Sequence, residues 1–234
     1  KAARWESAEK HFQTAIDRLT FQYTNAKNAE PIYYLGVALK AQGKNDKAYT
    51  AFYKATWSQE WRAPGYFSVA QIDASRNDFA SALNHIDRSI DANAYNPQAY
   101  GLKSAILRHL DRSKEALDVV TFALQKTDPL NVYLTAEKWL ITKDQKVAGT
   151  LFSTLNAFPM TAQEIATEYV NSGLYSDGIS LLQQRITATQ NKTIINPLIY
   201  YDLGDFSEKL GDDSKASEYR KQAALQSPDY VFPF

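Results

Sequence analysis

Apolar and small residues recur along the chain in a pattern that repeats every 34 residues. A turn-forming residue is followed five positions later by Ala, then after four more by a bulky apolar residue, and after three more by a small residue. The three regular occurrences are Gly43, Ala48, Phe52 and Ala55; Asn77, Ala82, Ile86 and Ser89; and Asp111, Ala116, Val120 and Ala123. Because these spacings return to one face of a helix, the pattern predicts helices that cross closely at the small residues.

The pattern continues with looser spacing toward both ends of the chain. Its alanine position recurs after 32, 30 and 38 residues, and its second half also occurs alone near the amino terminus. These matches are Ala148 with Phe152, Gly178 with Leu182, Ala216 with Ala223, and Ala8 with Phe12 and Ala15. We therefore predict about six and a half repeats in one domain over 1–234, near 1–28, 29–62, 63–96, 97–128, 129–158, 159–196 and 197–234.

Glycine and proline punctuate the predicted helices. Gly43, Gly173 and Gly211 fall between the two helices of a repeat, where a left-handed residue ends a helix at low cost. Asp128–Pro129 and Asn196–Pro197 place a capping residue before a proline and so predict helix starts. The segments 20–30 and 186–196 are longer than the period requires, which predicts loops or helix extensions there.

The first helices carry a second motif. The segment IYYLGVALKAQGK contains Leu35, Gly36 and Leu39 at three positions of the tetratricopeptide signature, and the chain resembles that repeat family. The resemblance implies an all-α fold, a right-handed superhelical solenoid of antiparallel helix pairs, with about 12–13 helices. The departures from the family pattern are Lys103, Thr135 and Arg220, which replace apolar residues.

Composition narrows the functional classes. Lys plus Arg and Asp plus Glu both total 26, so no net charge attracts nucleic acid or an anionic membrane. The chain has no cysteine, which excludes thiolate chemistry but fits bacterial cytoplasm and periplasm equally. No run of about 18 apolar residues predicts a membrane span. Because the chain begins with Lys1 and its only methionine is Met160, we expect it to be a piece of a longer protein.

Longer phrases indicate a narrower resemblance. AEKHFQTAIDRLT, AYGLKSAILRHLDRSKEAL and SPDYVFPF are similar to the carboxyl-terminal repeat region of large bacterial proteins. Those proteins carry an amino-terminal mutarotase-like domain that is associated with carbohydrates. The resemblance implies that any catalytic or sugar-binding domain lies outside these 234 residues.

The candidate binding residues lie on the predicted first helices, which line the concave face of such a solenoid. The positions expected to face this groove are Tyr33, Lys40, Phe67, Gln71, Arg108 and His109. Aromatic and arginine side chains are common at binding hot spots and could hold an extended peptide or its carboxylate. In the alternative interpretation, the aromatic residues fill the packing between repeats and the charged residues are only solvated.

Other residue patterns do not predict chemistry. The histidines His11, His85 and His109 lack metal-ligand spacing, and no phosphate-binding loop is present, so we predict no metal, cofactor or catalytic residue. Trp57, Trp61, Tyr66 and Phe67 form an aromatic group that could be core or a sugar platform. The tail 227–234 is expected to fold over the last helix pair or to dock on a neighbouring domain.

Three functions remain open from the sequence. The first is an interaction or scaffolding module that binds a protein or peptide. The second is a structural accessory that packs on a sugar-processing domain of the same chain. The third is a glycan-binding domain, suggested only by the 15 Tyr and 4 Trp residues.

Overall fold

The computed structural model describes residues 4–21, 28–189 and 195–226, which form α-helices joined by turns and contain no strand. The predicted fold of the tail and parts of the two long connections lie outside these residues. The helices are α1 Trp5–Thr20, α2 Glu30–Ala41, α3 Asn45–Ala55, α4 Arg62–Ser75, α5 Phe79–Ala92, α6 Pro97–His109, α7 Ser113–Lys126, α8 Val132–Thr142, α9 Gln145–Ala157, α10 Pro159–Asn171, α11 Tyr175–Ala188, α12 Leu198–Lys209 and α13 Asp213–Gln226. The all-α prediction and the predicted helix number are confirmed. No helix among the described residues combines the length and apolarity needed to cross a bilayer.

A left-handed residue ends every first helix from α2 to α12. The residues and their φ angles are Gly43 at 73°, Asn77 at 60°, Asp111 at 58°, Lys143 at 52°, Gly173 at 72° and Gly211 at 79°. This conformation lets the backbone N–H of a following residue bond to a free carbonyl of the helix end, as Lys44 N does to Leu39 O at 3.0 Å. The turns predicted from glycine are therefore confirmed, and Lys143 fills the same role without glycine.

The helix contacts divide the chain into two compact units, Lys1–Arg112 and Ser113–Phe234. In the amino-terminal unit, α2 pairs with α3 and α4 with α5, and α1 and α6 pack at the two sides. In the carboxyl-terminal unit, α8 pairs with α9, α10 with α11, and α12 with α13. Short turns join the members of each pair and so place them antiparallel. The single domain expected over 1–234 stays a prediction.

The small residues of the repeat lie in the core, as their spacing predicts. Ala48, Ala82 and Ala116 have exposures of 0% each, whereas Ala148 in the less regular fifth repeat is only half-buried. A Cβ atom added to Gly36 would lie 2.7 Å from the ring of Phe52, which is too close for any side chain. Small residues are therefore required where α2 and α3 cross, because a larger one would overlap atoms that packing already holds in place.

Polar residues at the departures from the family pattern find polar partners. Lys103 Nζ lies 2.7 Å from Asp87 Oδ1, and Arg220 forms an ion pair with Glu208. The hydroxyl of Thr135 donates to the carbonyl of Asn131 at 2.9 Å. These contacts explain how the helices tolerate polar side chains at positions that usually hold apolar ones.

Candidate functional site

The predicted binding residues of α2 are bonded to α4. The hydroxyl oxygen of Tyr33 lies 3.3 Å from Oγ of Ser68. Lys40 Nζ donates a hydrogen bond of 2.9 Å to Oε1 of Gln71. Because Tyr33 and Lys40 are seven residues apart, they lie on one face of α2, two turns from each other. The structure therefore brings Tyr33, Lys40 and Gln71 together on the side where α2 faces α4, which we call the first-helix face.

Aromatic packing fixes the amino-terminal end of the first-helix face. The ring of Tyr33 lies 4.9 Å from the ring of Trp61 and 5.2 Å from that of Phe52, measured between centroids. Tyr34 also contacts Trp61, at 5.7 Å, and stacks on Phe12 at 5.9 Å. Tyr34 keeps 40% of its surface exposed. The aromatic group therefore contains both rings that pack against each other and one ring that solvent can reach.

The other predicted residues of this face differ in their surroundings. Gln71 is only 7% exposed, so its amide ties α4 to Lys40 and has little contact with solvent. Phe67 is half-buried and packs against the core cluster that contains Ala70. The ring of His109 stacks on that of Phe79 in α5, with centroids 5.1 Å apart. Whether Phe67, Arg108 and His109 join Tyr33 in one site stays a prediction.

The structure separates the aromatic group that the sequence places at one junction. Trp61 packs with the tyrosines of α2, whereas the ring of Tyr66 stacks on His85 at 5.9 Å. Phe67 packs against the core cluster of Ala70, and Trp57 is 62% exposed in the connection after α3. The four rings therefore do not form one continuous platform.

A buried polar cluster between α3, α4 and α5 is not evident from the sequence. Nδ1 of His85 lies 2.7 Å from Oδ2 of Asp73, and Asp73 is only 4% exposed. Burial raises the pKa of Asp73, although the hydrogen bond with His85 opposes that effect. The rings of Tyr53 and Tyr66 lie about His85, the first at 6.2 Å. His85 therefore makes a polar bond to α4, which residue spacing alone does not show.

In the carboxyl-terminal unit, α10 and α12 are joined by a chain of amide and carboxylate contacts. Gln163 Nε2 donates to Asp202 Oδ2 at 2.6 Å, and Asn196 Nδ2 donates to Gln163 Oε1 at 3.3 Å. Burial raises the pKa of Asp202, the bond from Gln163 opposes this, and nearby Asp205 raises it further. Asp202 is therefore easier to protonate in the folded chain than in the unfolded chain.

This raised pKa predicts a pH-dependent effect of Asp202→Asn. A raised acidic pKa stabilises the fold below the ordinary aspartate value, and that contribution is lost as pH rises through the folded value. Asn keeps an acceptor for Gln163 and does not ionise. The stability of the variant relative to the unaltered protein should therefore increase between about pH 3 and pH 7, as measured by urea unfolding.

Asp212→Asn is the matched control for this effect. Hydrogen bonds from Lys215 lower the pKa of Asp212, so its contribution to stability is present at neutral pH and lost on acidification. Its relative stability should change with pH in the opposite direction. Equal pH profiles for the two variants would contradict the assignment of Asp202.

The described residues contain no group of three or more His, Asp or Glu side chains that could hold a metal ion. What the described surface offers is therefore polar and aromatic contact groups held by packing.

A solved structure with a similar fold is a tetratricopeptide repeat protein from Parabacteroides merdae, with a TM-score of 0.57 and 15% identity over 95% of this chain and 87% of that one. The chain has the tetratricopeptide-repeat fold. YrrB, described as a tetratricopeptide protein with an unusual peptide-binding site, aligns over 95% of both chains at 15% identity and a TM-score of 0.47. A tetratricopeptide protein from Thermus thermophilus aligns at 17% identity over 86% of this chain and 92% of that one, with a TM-score of 0.46. No family model and no curated protein matches the chain.

Proposed function

We propose that this chain is a non-catalytic interaction module that binds a peptide or protein partner through its first-helix face. The contact between Lys40 and Gln71, two helical turns from the packed rings of Tyr33 and Trp61, carries this proposal. The first-helix face presents the ammonium group of Lys40 and the aromatic rings of Tyr33 and Trp61. Cationic and aromatic side chains of this kind are common at binding hot spots.

Preorganisation supports the same proposal. Tyr33 is held by Ser68, Phe52 and Trp61, and Lys40 is held by Gln71. Side chains that are already ordered lose little conformational entropy when a ligand arrives. Phe67, Arg108 and His109 extend the proposed site, and the arginine suits a peptide carboxylate.

Selection of phage-displayed peptides on the purified chain tests this function. The affinity of a selected synthetic peptide is then measured by calorimetry for Lys40→Ala and Arg108→Ala. We expect each change to weaken binding by about tenfold, because each removes a cationic contact worth about 1.4 kcal/mol.

Lys126→Ala is the matched control for that experiment, since Lys126 is exposed in the last turn of the second helix α7. Its affinity should equal that of the unaltered chain. Selected peptides that bind all three variants equally well would overturn the proposed site.

A second function, a structural accessory, is supported by the connections between repeats. The amino-terminal unit exposes Trp57 by 62% and Tyr95 by 68%, and the carboxyl-terminal unit exposes Leu130 by 86% and Phe158 by 64%. Large apolar side chains at such edges are suited to packing against another domain. As a structural accessory, the chain would pack on a sugar-processing, mutarotase-like domain of a longer bacterial protein. Deleting the repeats from such a protein should then lower its activity.

A glycan-binding function rests on Trp57 alone among these exposed residues, since an accessible indole can stack on a sugar ring. A glycan array probed with the unaltered chain and with Trp57→Ala distinguishes it from peptide binding. Signals that disappear only in the variant would favour glycans.

A further inference from the structure

A second groove lies in the amino-terminal unit and is lined by residues of α1, α2 and α3. Its volume is about 510 Å³. Its apolar floor consists of Ile16, Ile32, Leu35, Leu39 and Ala51. None of these residues belongs to the predicted binding site, so the groove is a separate feature.

The next repeat shows what normally occupies this place. Helices α2 and α3 correspond to α4 and α5 with a shift of 34 residues, and Phe12 of α1 corresponds to Phe52 of α3 with a shift of 40. Equivalent contacts confirm that alignment of α1. Glu9 accepts a hydrogen bond of 2.9 Å from Gln42. One repeat later, Tyr49 is the equivalent of Glu9 and Arg76 is the equivalent of Gln42. The guanidinium carbon of Arg76 lies 5.5 Å from the centroid of the Tyr49 ring, so the two equivalent pairs are both in contact.

In that next repeat, the same place is filled by large side chains. The residues equivalent to Gln13, Ile32 and Ala51 are Tyr53, Tyr66 and His85, respectively. The three rings contact one another, with centroids 5.9 to 6.2 Å apart. The groove is therefore open because smaller or non-aromatic side chains replace three rings that close the equivalent space.

Among the described residues at the rim of the groove, the acidic ones form ion pairs but two lysines do not. Glu9 is paired with Lys44 at 2.8 Å, and Asp46 is paired with Arg76 at 2.6 Å. Lys47 and Lys54, both on α3 and both lining the groove, form no ion pair with a described residue. They are seven residues apart, so they lie on one side of α3, about 10 Å from each other.

We propose that this groove binds an amphipathic helix of a partner protein that presents aromatic side chains between two acidic residues. The aromatic rings take the positions that Tyr53, Tyr66 and His85 occupy one repeat later. Two carboxylates seven residues apart on the partner helix match the spacing of Lys47 and Lys54. A groove with an apolar floor is a common receptor for the apolar face of an amphipathic helix. The lysines along one rim suit acidic residues on that helix.

Synthetic helical peptides of roughly 16 residues test this proposal with the whole chain. The probe carries two adjacent tyrosines between glutamates seven positions apart, and two control peptides replace either the tyrosines by alanine or the glutamates by lysine. We expect the probe to shift the NMR signals of α1, α2 and α3. Both control peptides should bind at least about tenfold more weakly.

Two variants of the chain complete the experiment. Gln13→Tyr with Ala51→His copies the next repeat and should block the groove, so the probe should bind at least about tenfold more weakly. Lys47→Glu with Lys54→Glu changes only exposed residues, and it should exchange the preference from the glutamate peptide to the lysine peptide. Ser153→Tyr, an exposed substitution in α9, controls for the added ring.

Equal binding of the probe to the charge-reversed and unaltered chains would overturn the proposal, as would failure of the probe to bind at millimolar concentration. Lys40→Ala should not affect this probe, because Lys40 lies on the first-helix face. The two proposed sites can therefore fail independently.

Discussion

Replacing Arg185 by Met is expected to raise the free energy of unfolding by about 1–4 kcal/mol, because a buried guanidinium that lacks partners for two of its nitrogens among the described residues is replaced by an apolar side chain of similar length. Arg185 is only 1% exposed. Its Nε and Nη1 atoms have no hydrogen-bond partner in the described part of the chain. Burial also lowers the pKa of its guanidinium, which shows that the charged form is disfavoured there. Thermal and urea unfolding measure the change.

Arg18→Met is the matched control for Arg185→Met. Arg18 is exposed in the last turn of α1, so its replacement should change the stability by less than about 0.5 kcal/mol. A loss of stability in Arg185→Met would show that the guanidinium makes bonds that hold the fold together, which contradicts the prediction.

Gly65→Ala is expected to lower the free energy of unfolding by about 1–3 kcal/mol through overpacking. A Cβ atom at Gly65 would lie 2.9 Å from the carbonyl oxygen of Phe52 and 2.8 Å from Cγ2 of Thr56. The first of these contacts involves backbone, which cannot move aside as the end of a flexible side chain can. The helices α3 and α4 would therefore have to separate. Urea unfolding at neutral pH measures the loss.

The same substitution at Gly149 should have the opposite sign. Gly149 is exposed within α9, and apart from its chain neighbours and the adjoining backbone of the helix, no atom of the described residues lies within 4 Å of a Cβ placed there. Alanine should therefore stabilise the chain by about 0.5–1 kcal/mol through its better helix propensity. Destabilisation of similar size at both glycines would contradict a steric overlap as the cause of the loss at Gly65.

The sequence predicts only part of the first-helix face. The helical period places Tyr33 and Lys40 on one side of α2, and that inference requires no tertiary structure. The period does not show that Gln71 is buried by the contact with Lys40, because burial depends on how closely α4 approaches α2. For the same reason, the sequence does not distinguish the packed ring of Trp61 from the exposed ring of Trp57.

The groove between α1, α2 and α3 shows what a comparison of repeats by sequence does not predict. Comparing repeats by sequence already aligns Ala51 with His85 and Ile32 with Tyr66. Only the structure shows that these positions meet in one place, because they come from different helices of the repeat. The same limit applies to Arg185. Comparing repeats aligns it with Ala55, Ser89 and Ala123, but only the structure shows that two nitrogens of its buried guanidinium have no hydrogen-bond partner among the described residues.

The residue pattern alone predicts the all-α class, the repeat length, the left-handed turn at Gly43 and the buried alanines such as Ala82. These features follow from local geometry, since the helical period and the absence of a side chain act within a few residues. The packing of the helices establishes which polar groups meet, as in the pair of Asp73 and His85, and where a groove stays open. Such outcomes depend on distances between separate helices, which no local pattern encodes.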